Sequence, residues 1–232
     1  MSLFTRKPST PPTDGLVNLV KSAGVSLAKH GLTAERAAVY LVLDHSGSMM
    51  PFYTDGSVQR LAEQALGLSA NLDDDGAVPL IYFGSHVTEP QTVSIGQHQG
   101  IIDRTHRAVS WGSTNYAAAI EHIASEYRTA AWVRENPALV IFQTDGEPDS
   151  RPAAEQALRA ASHLPIFWAF VGFGPSVAFL ERLDDLEGRA VDNASFFHAP
   201  RPRQVSDADL YDGITREYAT WLAAARQAGI AH

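Results

Sequence analysis

An α/β fold, a doubly wound and mostly parallel sheet flanked by helices with a short helical extension at the amino end, is predicted by three observations. Four short apolar runs, at residues 37–43, 77–83, 138–142 and 165–171, have the length and continuous hydrophobicity of strands buried on both faces. Stripes of apolar residues at helical spacing lie between them: Val58, Leu61, Ala62, Ala65, Ser69 and Leu72 mark one, and Tyr116, Ala119, Ile120, Ile123 and Tyr127 another. Each run gives way within a residue or two to Gly or Asp, as chain leaving a strand for a loop does. Strand and helix alternating in this way predict right-handed crossovers and a ligand site at the carboxyl ends of the strands.

Taken in order, residues 8–13 (Pro-Ser-Thr-Pro-Pro-Thr) form neither helix nor central strand, because proline lacks a donor and restricts the residue before it. Asp14 then offers a helix N-cap. Leu16, Leu19, Val20, Ala23 and Leu27 recur at helical spacing, and Lys29, His30 and Gly31 signal the end. This short amphipathic helix either packs on the flank of the domain or serves as a docking element. The boundaries expected are a lead-in and helix over 1–35 and one domain over 36–228. Within the latter, further helices are expected at 152–162, 176–185 and 206–227, a weaker strand at 194–197 and a hairpin-like piece around 86–95.

Composition narrows the function. The 232 residues, 45% hydrophobic and 19% charged, suit one large core with a small appendage. A net charge of -8 argues against capture of nucleic acid or an anionic membrane surface, which need clustered Lys and Arg. The absence of cysteine excludes disulfides, thiolate metal sites and cysteine nucleophiles, so any metal must sit on oxygen or imidazole. Neither a secretory signal nor a run of the ~18 apolar residues that span a bilayer is present, and a cytoplasmic location is expected.

The sharpest local signal is Asp44-His45-Ser46-Gly47-Ser48-Met49, at the end of the first buried run. Three oxygen-bearing side chains at alternate positions of one tight loop can turn toward one point. Such hard oxygens suit Mg²⁺, which accepts a few protein ligands and keeps water. Gly112-Ser113-Thr114-Asn115 and Gln143-Thr144-Asp145-Gly146-Glu147 fall at the ends of other predicted elements, and in a doubly wound sheet both loops open on the edge that carries Asp44.

The set Asp44-x-Ser46-x-Ser48, Thr114 and Asp145 resembles the metal-ion-dependent adhesion site of von Willebrand factor A domains, and the resemblance extends over roughly residues 36–225. It implies that Ser46, Ser48 and Thr114 bind a divalent ion through hydroxyls and that Asp44 and Asp145 bind it directly or through water. Mg²⁺ is the ion implied, with Ca²⁺ and Mn²⁺ as substitutes. One coordination position is left for an Asp or Glu carboxylate of a protein partner, which makes the chain a binding module and not an enzyme. Residues 41–49 and 24–29 are also similar to bacterial tellurium-resistance proteins of the TerF type, with copines related in the same loops. That similarity implies a cytosolic stress-response assembly in which other Ter proteins are partners.

Rival readings rest on fewer residues. A haloacid-dehalogenase-like phosphoryl-transfer enzyme also places an Asp after its first buried strand, but its second carboxylate two residues on is replaced here by Ser46. A Ser-His-Asp hydrolase fails because Asp44, His45 and Ser46 are sequence neighbours and no Gly-x-Ser-x-Gly elbow is present. An A domain that binds without any ion is a third alternative. Glu147 and Asp149 read either as an acidic rim or as a solvated loop, Asp73-Asp74-Asp75 as a charged turn, and Gly172-Phe173-Gly174 as the approach to a helix start at Pro175. His45 is expected to point away from the ion and to be exposed, and Trp111 to face a partner or to pack as a lid.

Overall fold

The computed structural model describes residues 14–73, 76–129, 136–175 and 178–232. The proline-rich lead-in, the capping role expected of the Asp14 side chain, Asp74 and Asp75 of the charged turn, and the expected helix start at Ser176 lie outside what is described.

Six strands form one sheet: β1 (Ala38–Asp44), β2 (Ala77–Phe83), β3 (Gln91–Ser94), β4 (Ala138–Thr144), β5 (Ile166–Phe173) and β6 (Ala194–Ala199), in the order β3-β2-β1-β4-β5-β6. All neighbours are parallel except β3, which closes one edge antiparallel to β2. The hairpin expected around 86–95 is this edge. β1, β4 and β5 are buried along their whole lengths, which is why their sequences are apolar at every position instead of at alternate ones.

Consecutive β1 side chains enter opposite cores, as the two-residue repeat of a strand requires. Val39, Leu41 and Leu43 join one cluster with α1 (Asp14–Lys29), α3 (Ser57–Leu72) and α8 (Asp207–Gln227). Ala38, Tyr40 and Val42 join the other with α5 (Tyr116–Thr129), α6 (Arg151–Ala161) and α7 (Ala178–Asp184). Both apolar stripes read from the sequence are buried. Ser150 and Ser206 cap α6 and α8, accepting from Ala153 N at 3.3 Å and Asp209 N at 3.1 Å. Two short helices, α2 (Met50–Thr54) and α4 (Ile101–Thr105), are too brief to leave a periodic signal.

The amino-terminal helix packs on the flank. Leu16, Leu19, Ala23 and Leu27 of α1 belong to the same core as the sheet. The approach to α3 is close: a Cβ on Gly67 would lie 2.8 Å from the Tyr211 hydroxyl and 2.9 Å from Leu19 Cβ. Ser26 and Thr215 share a buried hydrogen bond of 2.8 Å, and Lys29 and His30 both reach Asp212 of α8, at 2.7 and 2.6 Å.

Candidate functional site

The strand order turns back at β1, whose neighbours are β2 on one side and β4 on the other. In such sheets the crossovers leave on opposite faces at this point, opening a crevice beyond the carboxyl ends of the two central strands. Asp44 ends β1 and Thr144 ends β4, followed at once by Asp145. The crevice is thus lined by the residues the sequence singled out.

Asp44 is fully buried and held by both carboxylate oxygens. Oδ1 accepts the backbone N–H of Ser46 at 2.7 Å, and Oδ2 accepts the Thr144 hydroxyl at 2.5 Å. Ser46 starts a single 3-10 turn over Gly47–Met49, which brings its hydroxyl within 3.2 Å of that of Ser48. Ser48 donates to Asp145 Oδ1 at 2.8 Å. With that hydrogen committed, Ser46 is the donor to Ser48. Asp44, Ser46, Ser48 and Asp145 therefore form one continuous polar chain across two strands and 102 positions of sequence.

Thr114 is brought alongside by a loop. Ser46 and Gly112 form an isolated parallel bridge, and Gly112 N donates to His45 O at 3.0 Å. Glycine is needed at 112, because a Cβ there would collide with the backbone N of Ser85. Asp149 accepts from Thr114 N at 3.0 Å and from the Ser113 hydroxyl at 2.7 Å, while its own N–H donates to Thr114 O at 2.9 Å. Asp149 is exposed on the loop after β4, as read from the sequence, and in addition ties the Thr114 loop to that loop. Glu147 pairs instead with Arg151 at 2.8 Å.

Supporting residues that the sequence did not announce surround this chain. Thr144 donates to Asp44 and lies 3.0 Å from the Tyr116 hydroxyl, which also reaches Gly146 O, and the Tyr53 hydroxyl donates to the backbone oxygen of Asp44 at 2.9 Å. Thr144 sits beside Asp145 in a motif already singled out, and its polarity next to an apolar run was the available signal. Tyr116 read only as a member of a helical stripe, and nothing in the sequence singled out Tyr53.

The electrostatics favour a cation. Burial pushes the Asp44 carboxyl up to about 6, the bonds from Thr144 and Ser46 oppose the rise, and the Asp145 charge adds to it. Asp145 is raised as well, chiefly by burial and against the Ser48 bond. Two neighbouring carboxylates, Asp44 fully and Asp145 partly withdrawn from water, are costly to ionise together, and a divalent ion held by them would offset that cost. The donor set of two carboxylates and three hydroxyls fits a hard ion. Among the described residues no group of three or more His, Asp or Glu converges, so an ion on this chain would rely on hydroxyls.

His45 departs from the expectation of exposure. Its ring is buried, stacks on Trp111 with centroids 3.8 Å apart and an interplanar angle of 8°, and meets Tyr53 edge-on at 5.1 Å. Its Nδ1 lies 3.3 Å from Ser110 O and its Nε2 3.4 Å from His106 Nδ1. Burial pushes its pKa down to about 4, so the ring is neutral. The reason is tertiary: the loop before Gly112 folds over the end of β1 and covers it. Trp111 packs as a lid over His45 and remains 37% exposed.

A doubly wound sheet with this constellation at its switch point defines a von Willebrand factor A-type domain. A family model described as vWA-TerF-like, the vWA found in the TerF C terminus, matches residues 36–231, and the chain belongs to that family. The uncharacterized protein YcbR of Bacillus subtilis (strain 168) is 33% identical over 215 residues, covering 90% of this chain and 87% of that one. Manganese-loaded TRAP protein of Plasmodium vivax has a similar fold, with a TM-score of 0.54, 20% identity, and 77% of this chain and 74% of that one covered. Proximal thread matrix protein 1 of the mussel byssus, solved with a zinc-occupied MIDAS motif, also matches at a TM-score of 0.54 and 14% identity, over 78% of this chain and 47% of that one. Among the described residues no helix is long and apolar enough to cross a membrane.

Proposed function

We propose that the chain is a metal-dependent protein-binding module, in which Asp44, Ser46, Ser48, Thr114 and Asp145 hold a divalent cation that receives an Asp or Glu carboxylate of a partner. The observation that carries this reading is the hydrogen-bonded run from Asp44 through Ser46 and Ser48 to Asp145, with the Thr114 loop bridged to Ser46 at Gly112. Mg²⁺ is the ion we assign, with Ca²⁺ or Mn²⁺ as substitutes. When bound, the ion supplies positive charge and an unfilled coordination position. The chain's own residues do the rest. Thr144 and the Ser46 N–H orient the Asp44 carboxylate, and Asp149 holds the backbone of Thr114. Binding, not turnover, follows from this set: the position two after Asp44, where a phosphoryl-transfer site would need a second carboxylate, is Ser46.

Residues 36–228 form the binding domain in this reading, and α1 braces its α3–α8 face. Membership of the TerF-like family supports a cytoplasmic role in tellurium resistance or a related stress response, with other Ter proteins as partners. The decisive measurement is thermal stability during an Mg²⁺ titration of the wild type and Asp44→Asn. A rise in Tm confined to the wild type is expected, and equal responses of the two would end the assignment.

A further inference from the structure

On the α5 flank of the sheet three buried polar atoms have no hydrogen-bond partner among the described residues: the hydroxyl of Tyr40, Nε2 of His122 and Oε2 of Glu126. Buried polar atoms are almost always paired, so a group of orphans in one place calls for an explanation. Their placement follows from the elements that carry them. Tyr40, the third residue of β1, is fully buried in the core that β1 shares with Ile123 and Tyr127 of α5. His122 and Glu126 stand one helical turn apart on α5 and so share a face. Burial raises the Glu126 carboxyl, the charge of His122 opposes the rise and that of Glu89 adds to it. After burial, the Glu126 charge is the largest influence that raises the Tyr40 hydroxyl, which makes these groups neighbours.

The chemistry of the three atoms specifies what would satisfy them. An imidazole nitrogen and a carboxylate oxygen on successive helical turns make a two-armed ligand for Zn²⁺ and related transition ions, and a hydroxyl can serve as a third donor. The nitrogen argues against Mg²⁺, which takes oxygen. Because all three atoms are closed to solvent, a partner's side chain cannot reach them. A bare ion needs no void of the size a water molecule requires. His122 and Glu126 are partly exposed as whole residues, so rotation of either side chain opens a path inward. Glu89, exposed on the loop between β2 and β3, adds negative charge from the open side.

We propose that Tyr40, His122 and Glu126 form a second cation site, for a transition ion of the Zn²⁺ class, that clamps α5 to β1. It uses no residue of the switch-point centre and stands or falls without it. Glu126 lies ten residues beyond Tyr116, about 15 Å along the helix at ~1.5 Å per residue, so the two sites are separate. They share elements all the same: β1 ends in Asp44, and α5 begins two residues after Thr114. An ion held between β1 and α5 would brace both.

The test is calorimetric titration of Zn²⁺ into the full chain carrying Asp44→Asn, which takes the oxygen centre out of the count. One ion per chain is expected. His122→Ala and Glu126→Gln, each added to that background, should weaken binding at least about 10-fold. Tyr40→Phe should weaken it about 10-fold while the metal-free melt stays at or above that of the background, because the hydroxyl it removes has no bond to lose. A merely structural tyrosine would lower the metal-free melt and leave Zn²⁺ affinity unmoved, and that pattern overturns the site. Absence of Zn²⁺ uptake by the Asp44→Asn chain overturns it as well. So does uptake unchanged in both His122→Ala and Glu126→Gln, which would assign the ion to surface imidazoles such as His30, already 2.6 Å from Asp212.

Discussion

Asp44 and Asp145 stand at the ends of adjacent parallel strands and are joined through the backbone N–H and hydroxyl of Ser46 and the hydroxyl of Ser48, whereas Thr114 stands on a loop held by Asp149, Ser85 and the backbone of His45. The strand-borne half inherits its position from the sheet: β1 and β4 pair from Ala38 opposite Ala138 to Leu43 opposite Gln143, which sets the Asp44 backbone beside the end of β4 one residue before Asp145. The loop-borne half depends on one partly exposed carboxylate and on the lack of a side chain at Gly112. A centre built this way has a rigid floor and an adjustable wall. Substitutions in the floor should abolish ion binding, and substitutions in the wall should weaken it by degrees.

The largest effect is expected at Asp44. At ~100-fold excess over its Kd, a bound ion contributes about 2.7 kcal/mol, which for a chain of this size raises Tm by about 5–10 °C. Asp44→Asn should lose that response entirely while changing metal-free stability by only about 1 kcal/mol, because the amide oxygen still accepts the Ser46 N–H, the amide nitrogen donates to the Thr144 hydroxyl in place of accepting from it, and the buried charge is gone. Retention of half the response would show that the loop half carries more of the binding than the geometry assigns it.

Gly112→Ala comes next. Its new Cβ must displace Ser85 and with it the loop that leads to Thr114, so a fall in Tm of about 4–8 °C is expected, together with a rise in Mg²⁺ Kd of about 10-fold. Differential scanning fluorimetry and isothermal titration calorimetry read the two quantities separately. Unaltered ion affinity despite the lower Tm would remove Thr114 from the ligand set.

Asp149→Ala isolates the wall from the floor. Losing its bonds to Ser113 and Thr114 should cost about 1 kcal/mol and raise the Mg²⁺ Kd by about 10-fold, as removing an outer support of a metal ligand does. Full loss of binding, equal to that of Asp44→Asn, would contradict the division into floor and wall.

The smallest effect is a reference away from both halves. On α7, Asp184 is pushed up to about 6 by burial first and by Asp192, Glu217 and Asp185 second, against Arg189. Its folded pKa lies above its unfolded one, so the charged form costs stability above about pH 6, and the cost fades as pH falls toward the ordinary carboxylate range. Asp184→Asn should therefore raise Tm by about 2–4 °C at pH 7 after discounting for partial exposure, and by less at pH 5, with the Mg²⁺ response untouched. A changed ion response in this variant would mean that the titration reports general charge and not the centre.

The strands and helices were legible because they are buried in simple ways. β1, β4 and β5 lie between two helical layers and so are apolar throughout, and α3 and α5 show a single inward stripe. Asp44, Ser46, Ser48 and Asp145 stood out for a related reason: they are polar residues placed where an apolar run stops. His45 was misjudged, and the tie made by the exposed Asp149 was hidden, because their partners are distant in sequence. Alternation along a strand says nothing about a loop 66 positions later laying Trp111 across the His45 ring, nor about Ser113 and Thr114 reaching Asp149. The reach of β4 to Thr144 was hidden likewise, since Gln143 and Thr144 are polar but fully buried.

Local rules decide whatever depends on a residue and its near neighbours: the alternation of strand and helix, the caps at Ser150 and Ser206, the tight Ser46-Gly47-Ser48 turn, and hence the fold class and most of the candidate ligands. Only the assembled sheet decides what depends on closure over long separations. It sets which strand ends meet at the switch point, how Thr114 is held, and that α1 becomes part of the core. The physical reason is that periodicity records burial, whereas a contact between remote segments is chosen by the packing of everything between them.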